Sequence, residues 1–353
     1  MTSLLDYKKI DLNNITDNNN NNTMTDNKMD LTKLSKTELL AKCEELGFTK
    51  YKLKNKKELI ELINSKKDDQ KTNIELIIED TASTTLPEKT QSHHLKPIIK
   101  WSGGKSDEIK MFEKYFPEKF TTYIEPFVGG GSVYFYLNPE NAIISDVHTE
   151  LIDLYRSIGQ GKGPEIYDFM KNTPNDENTY YIVRDKMEIN NELDRAKRFY
   201  YQRKTCFRGM LRYNKSGKFN IPFGRYKTIN YNDLTNKGYE VLLNRTEILN
   251  KDFEYIFTTY NDENNFMFLD PPYDSEFTDY GYCQFGKEEQ KKLAALFKTT
   301  KIKCLMIIGK TKFIEELYSG YIVAEYDKKY KFKLYDNRIG DEINTKHLVI
   351  KNY

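Results

Sequence analysis

Hydrophobic positions along the chain fall into blocks of different period, separated by stretches that contain almost none. Residues 1–29 are poor in apolar side chains and include an asparagine run from Asn18 to Asn22. Such a segment cannot bury enough surface to offset its ordering entropy, so a disordered tail is expected. Over residues 30–67, Leu31, Leu34, Leu39, Leu40, Cys43 and Leu46 recur at near-helical spacing, with Ser35 and Glu38 placed for a capping box. Gly47 then marks a helix end, and Leu53, Leu59, Ile60, Leu62 and Ile63 make a second helical stripe. Residues 68–95 are polar again and read as a linker, with 74–78 as a candidate docking strand. From 96 to 353 apolar strands alternate with amphipathic segments, the pattern of an α/β domain. Its candidate strands are 122–126, 142–145, 266–269 and 303–308, and its candidate helices include 149–158 and 287–297.

Composition narrows the class without deciding it. With 38% hydrophobic and 31% charged residues, a water-soluble core with a solvated surface is expected. No apolar run approaches the roughly 20 residues of a membrane helix. The amino terminus lacks a basic start followed by an apolar stretch, so an intracellular location is expected rather than export. Cys43, Cys206, Cys283 and Cys304 lie far apart with no C-x-x-C pair, which indicates neither a metal site nor a disulfide framework. The net charge of +2 averages over very unequal blocks, so local charge carries the information.

The strongest chemical signal is FLDPPY, Phe268 to Tyr273. A short apolar strand delivers the Asp270 carboxylate at its C-terminal end, where open α/β sheets bind ligands. Pro271 and Pro272 then fix the backbone and remove amide hydrogens, leaving carbonyl oxygens as acceptors, and the Tyr273 ring follows. Two acceptors and an aromatic face suit an exocyclic amino group on a planar base. That use requires Asp270 to stand near the other ligand-binding turns and outside any buried ion pair.

Those turns are two. In YIEPFVGGGSV, a strand ending at Pro126 runs into Gly129, Gly130 and Gly131 before a helix near Ser132, and glycines allow sharp turns and close approach to a ligand. The next strand, AIISD, ends in Asp146, a residue placed either to hold ribose hydroxyls or to cap the helix that follows. In PIIKWSGGKS, Trp101 stands between Lys100 and a second glycine turn ending in Lys105. Either it lies against a nucleoside, with Lys105 on a ligand carboxylate, or it is a buried anchor beside a solvated lysine.

Charge is most unequal between Arg195 and Lys227, which hold eleven lysines and arginines and no Asp or Glu. Phe199, Tyr200, Tyr201, Phe207, Tyr213, Phe219, Phe223 and Tyr226 are interleaved, so a nucleic-acid surface is expected. Within it, Arg208 to Lys227 reads as an extended arm, a turn at Lys215 to Gly217 and a return arm, a ribbon of the width the DNA major groove admits.

KWSGGK, EPFVGGG, the acidic strand end and DPPY, in this order, resemble the Dam-type adenine-N6 DNA methyltransferases of the alpha-ordered group from about residue 97 to the C-terminus. The resemblance implies a Rossmann-like S-adenosylmethionine-dependent α/β fold, with a DNA-recognition insertion at about 160–250 that carries a β-hairpin. It implies that Trp101, Lys105, Phe127, Gly129, Gly131, Asp146 and Asp270 contact S-adenosylmethionine, while Asp270, Pro271, Pro272 and Tyr273 grip a flipped adenine. In the hairpin it places Arg212 on guanine, Met210 near a thymine methyl and Pro222 in support, with Lys100 on a further guanine and Arg208 and Arg225 on DNA. The family's preferred site is GATC. Departures are Met210 for the usual leucine, Arg208 for an uncharged polar residue, His148 for an asparagine, and IIGK where a serine is frequent. Residues 34–63 resemble the SAP module, a small helical DNA-binding unit. Double-stranded DNA is the expected partner, with a cognate restriction endonuclease as a further one and no membrane. An RNA or protein-amide methyltransferase and an inactive DNA-binding protein are the alternatives.

Overall fold

Two short helical stretches with reciprocal caps make up the described part of residues 1–88, the first of two units into which the chain divides; the second is 89–353. The computed structural model describes residues 34–45, 55–60, 63, 94–214, 216–273, 285–329 and 344–353. At the start of the helix Lys36–Glu45, the Ser35 amide donates to Glu38 Oε2 (2.7 Å) and the Glu38 amide to Ser35 Oγ (3.3 Å). Two amides that a helix start leaves unpaired are thereby satisfied. Asn55 and Glu58 repeat the device before the helical residues 56–60. Leu39, Cys43, Leu59 and Ile63 are fully buried in one small core. Leu31, Leu46, Gly47, Leu53, Leu62, the expected tail and the candidate strand at 74–78 lie outside the described residues.

Strand periodicity decides the second unit. Seven strands, β1 (Tyr123–Glu125), β2 (Ala142–Ser145), β3 (Thr246–Leu249), β4 (Phe266–Leu269), β5 (Lys303–Gly309), β6 (Ile322–Lys329) and β7 (Asn344–Lys351), form one sheet ordered β3-β2-β1-β4-β5-β7-β6. β1 to β5 run parallel, and β7 lies antiparallel between β5 and β6. Alternate residues serve opposite faces: Tyr123, Ile144, Phe266 and Leu305 join one core, and Ile124, Ile143, Met267 and Met306 the other. Both faces are covered, which is why the central strands read as continuous apolar runs. Helices Thr149–Gly159, Glu192–Thr205 and Lys237–Asn244 cover the first face, and Phe253–Thr259 and Lys287–Thr299 the second. The fold is thus the expected mixed α/β one.

Four candidate strands and both candidate helices are present; the pattern did not predict the inner strand β7, nor β3 or β6. β3 and β6 are edge strands of mixed sequence, TEIL and IVAEYDKK, and each has exposed positions. Such strands need less apolar sequence than the centre. All of residues 146–245 lie between β2 and β3. No helix among the described residues is long and apolar enough to cross a membrane.

Register sets the site. Tyr123 of β1 pairs with Ala142 of β2 on one side and with Phe266 of β4 on the other, so all three strands end at the same edge. β2 and β3 extend the sheet one way from β1, and β4 and β5 the other. The cleft between β1 and β4 is the topological switch point, where ligands of open α/β sheets bind.

Candidate active site and recognition hairpin

Asp270 leaves the end of β4, all four of whose residues are fully buried. Its Oδ1 stands 2.6 Å from Lys105 Nζ, with the Lys105 side chain 1% exposed and that of Asp270 20%. This overturns the expectation of an unpaired Asp270. An ammonium removed from water needs a matching charge, and Asp270 supplies it. The partner belongs to the loop expected to flank the same site, so the pair holds Asp270 in the cleft rather than taking it away. Lys105 also donates to the Gly103 carbonyl (2.8 Å) and lies 5.2 Å from the centre of the Tyr273 ring. Burial pushes the Asp270 carboxyl up, and Lys105 opposes the shift. Asp270, Pro271, Pro272 and Tyr273 line a cavity of about 390 Å³ together with Trp101, Lys105, Phe127, Gly129, Gly131 and Asp146.

The glycine turn is built around Trp101. Gly129 has φ 45°, and a Cβ there would lie 2.6 Å from Trp101 Cδ1 and Nε1; one on Gly130 would lie 2.9 Å from Trp101 Cβ. Room for the indole is therefore a second reason for glycine here, beside the approach of a ligand. The Gly129 amide donates to Asp146 Oδ2 (3.0 Å), and its carbonyl accepts from the Tyr155 hydroxyl (2.8 Å). Asp146 is not the helix cap. That place belongs to His148, whose Nδ1 accepts from the Leu151 amide (3.2 Å) while its own amide donates to Asp146 Oδ1 (2.9 Å). Burial pushes Asp146 up to about 6, against the pull of the His148 and Gly129 amides.

Several residues that line or support the cavity went unnoticed in the sequence. Glu125, the last residue of β1, is 3% exposed and accepts from the Tyr123 hydroxyl (2.6 Å) and the Tyr134 amide (3.2 Å). Burial raises it to about 8. Phe253 stacks on Phe127 with ring centres 5.6 Å apart, and Phe285 meets Phe127 edge-on at 5.6 Å, which gives the cavity an aromatic wall. Buried Gln290 donates to the Pro272 carbonyl (2.7 Å) and so holds the DPPY loop. Of these, only Glu125 sat inside a quoted motif; Phe253 and Gln290 come from helices, and Phe285 from the loop before Lys287–Thr299, that no local spacing ties to the site.

The residues present fit S-adenosylmethionine: an aromatic wall for a purine, a buried carboxylate at the β2 end for a diol, and a cavity in the range of small-ligand sites. A family profile for D12 class N6 adenine-specific DNA methyltransferases matches residues 101–333. The chain belongs to this family. It is 62% identical over 261 residues to the type II methyltransferase M.CviBI of Paramecium bursaria Chlorella virus NC1A, which is 73% of this chain and 100% of that protein. It is 32% identical to the type II methyltransferase M.MjaIII of Methanocaldococcus jannaschii, over 73% of this chain and 99% of that one. A DNA adenine methylase of Haemophilus influenzae is also 32% identical, over 64% of this chain and 83% of its own. The enzyme is an S-adenosylmethionine-dependent methyltransferase acting on N6 of adenine in DNA.

In this D12-class methyltransferase the hairpin is present but irregular. Tyr213 bridges Phe219 and Cys206 bridges Phe223, with no continuous ladder between them. The first arm does not start extended: Phe207–Gly209 is a 3-10 turn in which Arg208 has φ 55°. At the tip, Asn214 Oδ1 accepts from the Ser216 and Lys218 amides (3.0 and 2.9 Å); Lys215 lies outside the described residues. Arg212 is exposed and held across the ribbon by Asn220 Oδ1 (2.8 Å). Lys100, Arg208, Pro222 and Arg225 are exposed and Met210 is half-buried. Arg225 pairs with Glu177 at 3.2 Å.

The basic stripe, by contrast, is not one surface. Phe199, Tyr200 and Tyr201 belong to the core. Arg195 pairs with Asp153 (2.5 Å), Arg198 with Glu150 (2.6 Å), and Arg203 is 2% exposed. The carboxylates absent from the run sit on the facing helix Thr149–Gly159, where a linear count of charge cannot see them. His148, one of the departures from the family pattern, ties this layer to the hairpin. Burial, with the Arg203 charge, lowers it to about 3, so the ring is neutral. With Nδ1 accepting from Leu151, Nε2 carries the proton and donates to the Tyr213 hydroxyl (2.7 Å), which donates to Glu150 (3.1 Å).

Proposed function

We propose that this enzyme methylates one defined duplex sequence, GATC on the resemblance of its hairpin, after rotating the adenine out of the helix. What carries the proposal is the meeting of Asp270, Asp146 and the glycine turn in one cavity at the β1/β4 switch point. Asp146 would hold the ribose hydroxyls, the Phe127 wall the cofactor's adenine, and Trp101, Lys105, Gly129 and Gly131 the floor of the same site. S-adenosylmethionine supplies an electrophilic methyl on sulfur, so the protein's task is mainly positioning. Asp270 and the Pro271 carbonyl accept the two hydrogens of the extruded amino group and aim its lone pair at that methyl. Tyr273 stacks on the purine and helps to offset an extrusion cost of roughly a few kcal/mol.

An Asp270→Ala enzyme should lose about 10²–10³ in single-turnover rate on duplexes with tritiated cofactor, the cost of removing one aligned polar group. Labelling at the wild-type rate would remove Asp270 from the mechanism. Sequencing with methylation detection, on DNA from cells expressing the enzyme, reads the site directly. Exposed Arg208, in its left-handed turn, and Met210 favour a second reading in which the site departs from GATC where those side chains fall. We further propose that residues 34–63 act as a SAP-like tether that raises local DNA concentration. Deleting 1–95 should then weaken DNA affinity and leave the methylated sequence unchanged. The type II names of two relatives support a companion restriction endonuclease. Its test is whether modified DNA resists a nuclease from the source cells that cuts the unmodified site.

A further inference from the structure

Arg203 is a charged side chain whose place its sequence context does not suggest. It sits near the end of the helix Glu192–Thr205 within a run of basic residues, yet it is 2% exposed. Nη2 donates to the Lys100 carbonyl at 2.5 Å, and Nη1 donates to the Met210 carbonyl. The guanidinium carbon stands 5.6 Å from the Trp101 ring. One planar group thus joins the loop before the cofactor site to the start of the hairpin. Because a guanidinium carries its donors in a rigid fork, two carbonyls bound to different nitrogens of it are fixed relative to each other. Gly209 completes the joint: at φ 62°, a Cβ there would lie 3.2 Å from Lys100 Cδ, so the hairpin starts directly on the lysine stem.

We propose that Arg203 is a positioning residue for sequence recognition, setting the distance between Lys100 and Met210 and so the register in which loop and hairpin meet the bases. This rests on the reading of Lys100 and Met210 as base-contacting residues. Groove contacts discriminate only when donors and acceptors meet base edges squarely. A lysine ammonium carries three donors, but they rotate on a flexible stem without a fixed fork, so it leaves the spacing loose.

The test compares kcat/KM, at saturating cofactor, on the sequence that the wild type methylates best and on duplexes with single-base replacements in it. The ratio cancels any loss of cofactor affinity or overall rate, which a merely structural role would affect. For Arg203→Lys, discrimination at the positions sensed by Lys100 and Met210 should fall about tenfold, within the worth of one mismatched pair. Gly209→Ala, which pushes on the same joint without disturbing a buried charge, should relax the same positions, and it decides the matter if Arg203→Lys does not fold. Lys100→Ala and Met210→Ala identify those positions. If both alanine variants lose discrimination while Arg203→Lys, or Gly209→Ala in its place, keeps it, the positioning role is wrong. If neither alanine variant changes discrimination, the reading beneath it is wrong, and the proposal goes with it.

Discussion

Replacing Lys105 by methionine isolates the pair at the centre of the cleft. At 2.6 Å and an effective dielectric of about 20, the two charges attract by about 6 kcal/mol before desolvation is counted. Removing the almost fully buried ammonium and the mostly buried carboxylate from water takes back much of that, so breaking the pair should cost about 3 kcal/mol of folding stability. Asp270 left alone has one escape, a proton. Burial already raises its carboxyl, and loss of Lys105 removes the main opposing influence. A folded-state value above the unfolded one means that the fold binds the proton more tightly. Stability is then favoured at low pH and falls as pH rises from the ordinary carboxylate range through the folded value. The Lys105→Met penalty should therefore grow with pH, whereas Lys105→Met/Asp270→Asn should lack that dependence and cost about 1–3 kcal/mol less than the two single changes together. Urea unfolding at several pH values measures both. A penalty independent of pH, or strict additivity, would show that the pair does not bear on folding as argued.

Three further outcomes are expected. Gly129→Ala places a methyl 2.6 Å from the indole at φ 45°, so calorimetry should find S-adenosylhomocysteine bound at least about tenfold more weakly, from left-handed strain of about 1–2 kcal/mol plus displacement of Trp101; unchanged affinity would separate Trp101 from the cofactor site. Gly309→Ser sets a Cβ 3.2 Å from Tyr273 Cδ2, and should lower the methylation rate by about threefold or more with cofactor affinity intact, as expected for a small displacement of a reacting group; equal rates would show the ring free to adjust. Glu125, raised by burial to about 8 from 4.5, keeps its proton in the fold between those values while the unfolded chain loses it, so wild-type stability falls across that window, and Glu125→Gln should gain on wild type in thermal melts from pH 5 to pH 8.5; parallel melting curves would place its titration elsewhere.

Much of the fold was legible because central strands and long amphipathic helices carry their period locally. β2 and β4 were read to the residue, and the Ser35–Glu38 cap was read from two side chains three apart. Edge strands β3 and β6 escaped because their burial is supplied by neighbours rather than announced by their own composition. The basic run misled for a related reason: Asp153 and Glu150, which neutralise Arg195 and Arg198, lie on another helix.

The sequence by itself determined the chemistry on offer, namely a carboxylate and two prolines at a strand end, a glycine turn and a second acidic strand end, because each is a property of a few consecutive residues. Tertiary structure alone decided how those groups are used. It placed Lys105 against Asp270, fitted Trp101 over Gly129, brought Phe253, Phe285 and Gln290 to the cleft, and buried Arg203 between loop and hairpin. Charge pairing and close approach depend on distance in space, which parallel strand order sets and spacing along the chain does not reveal.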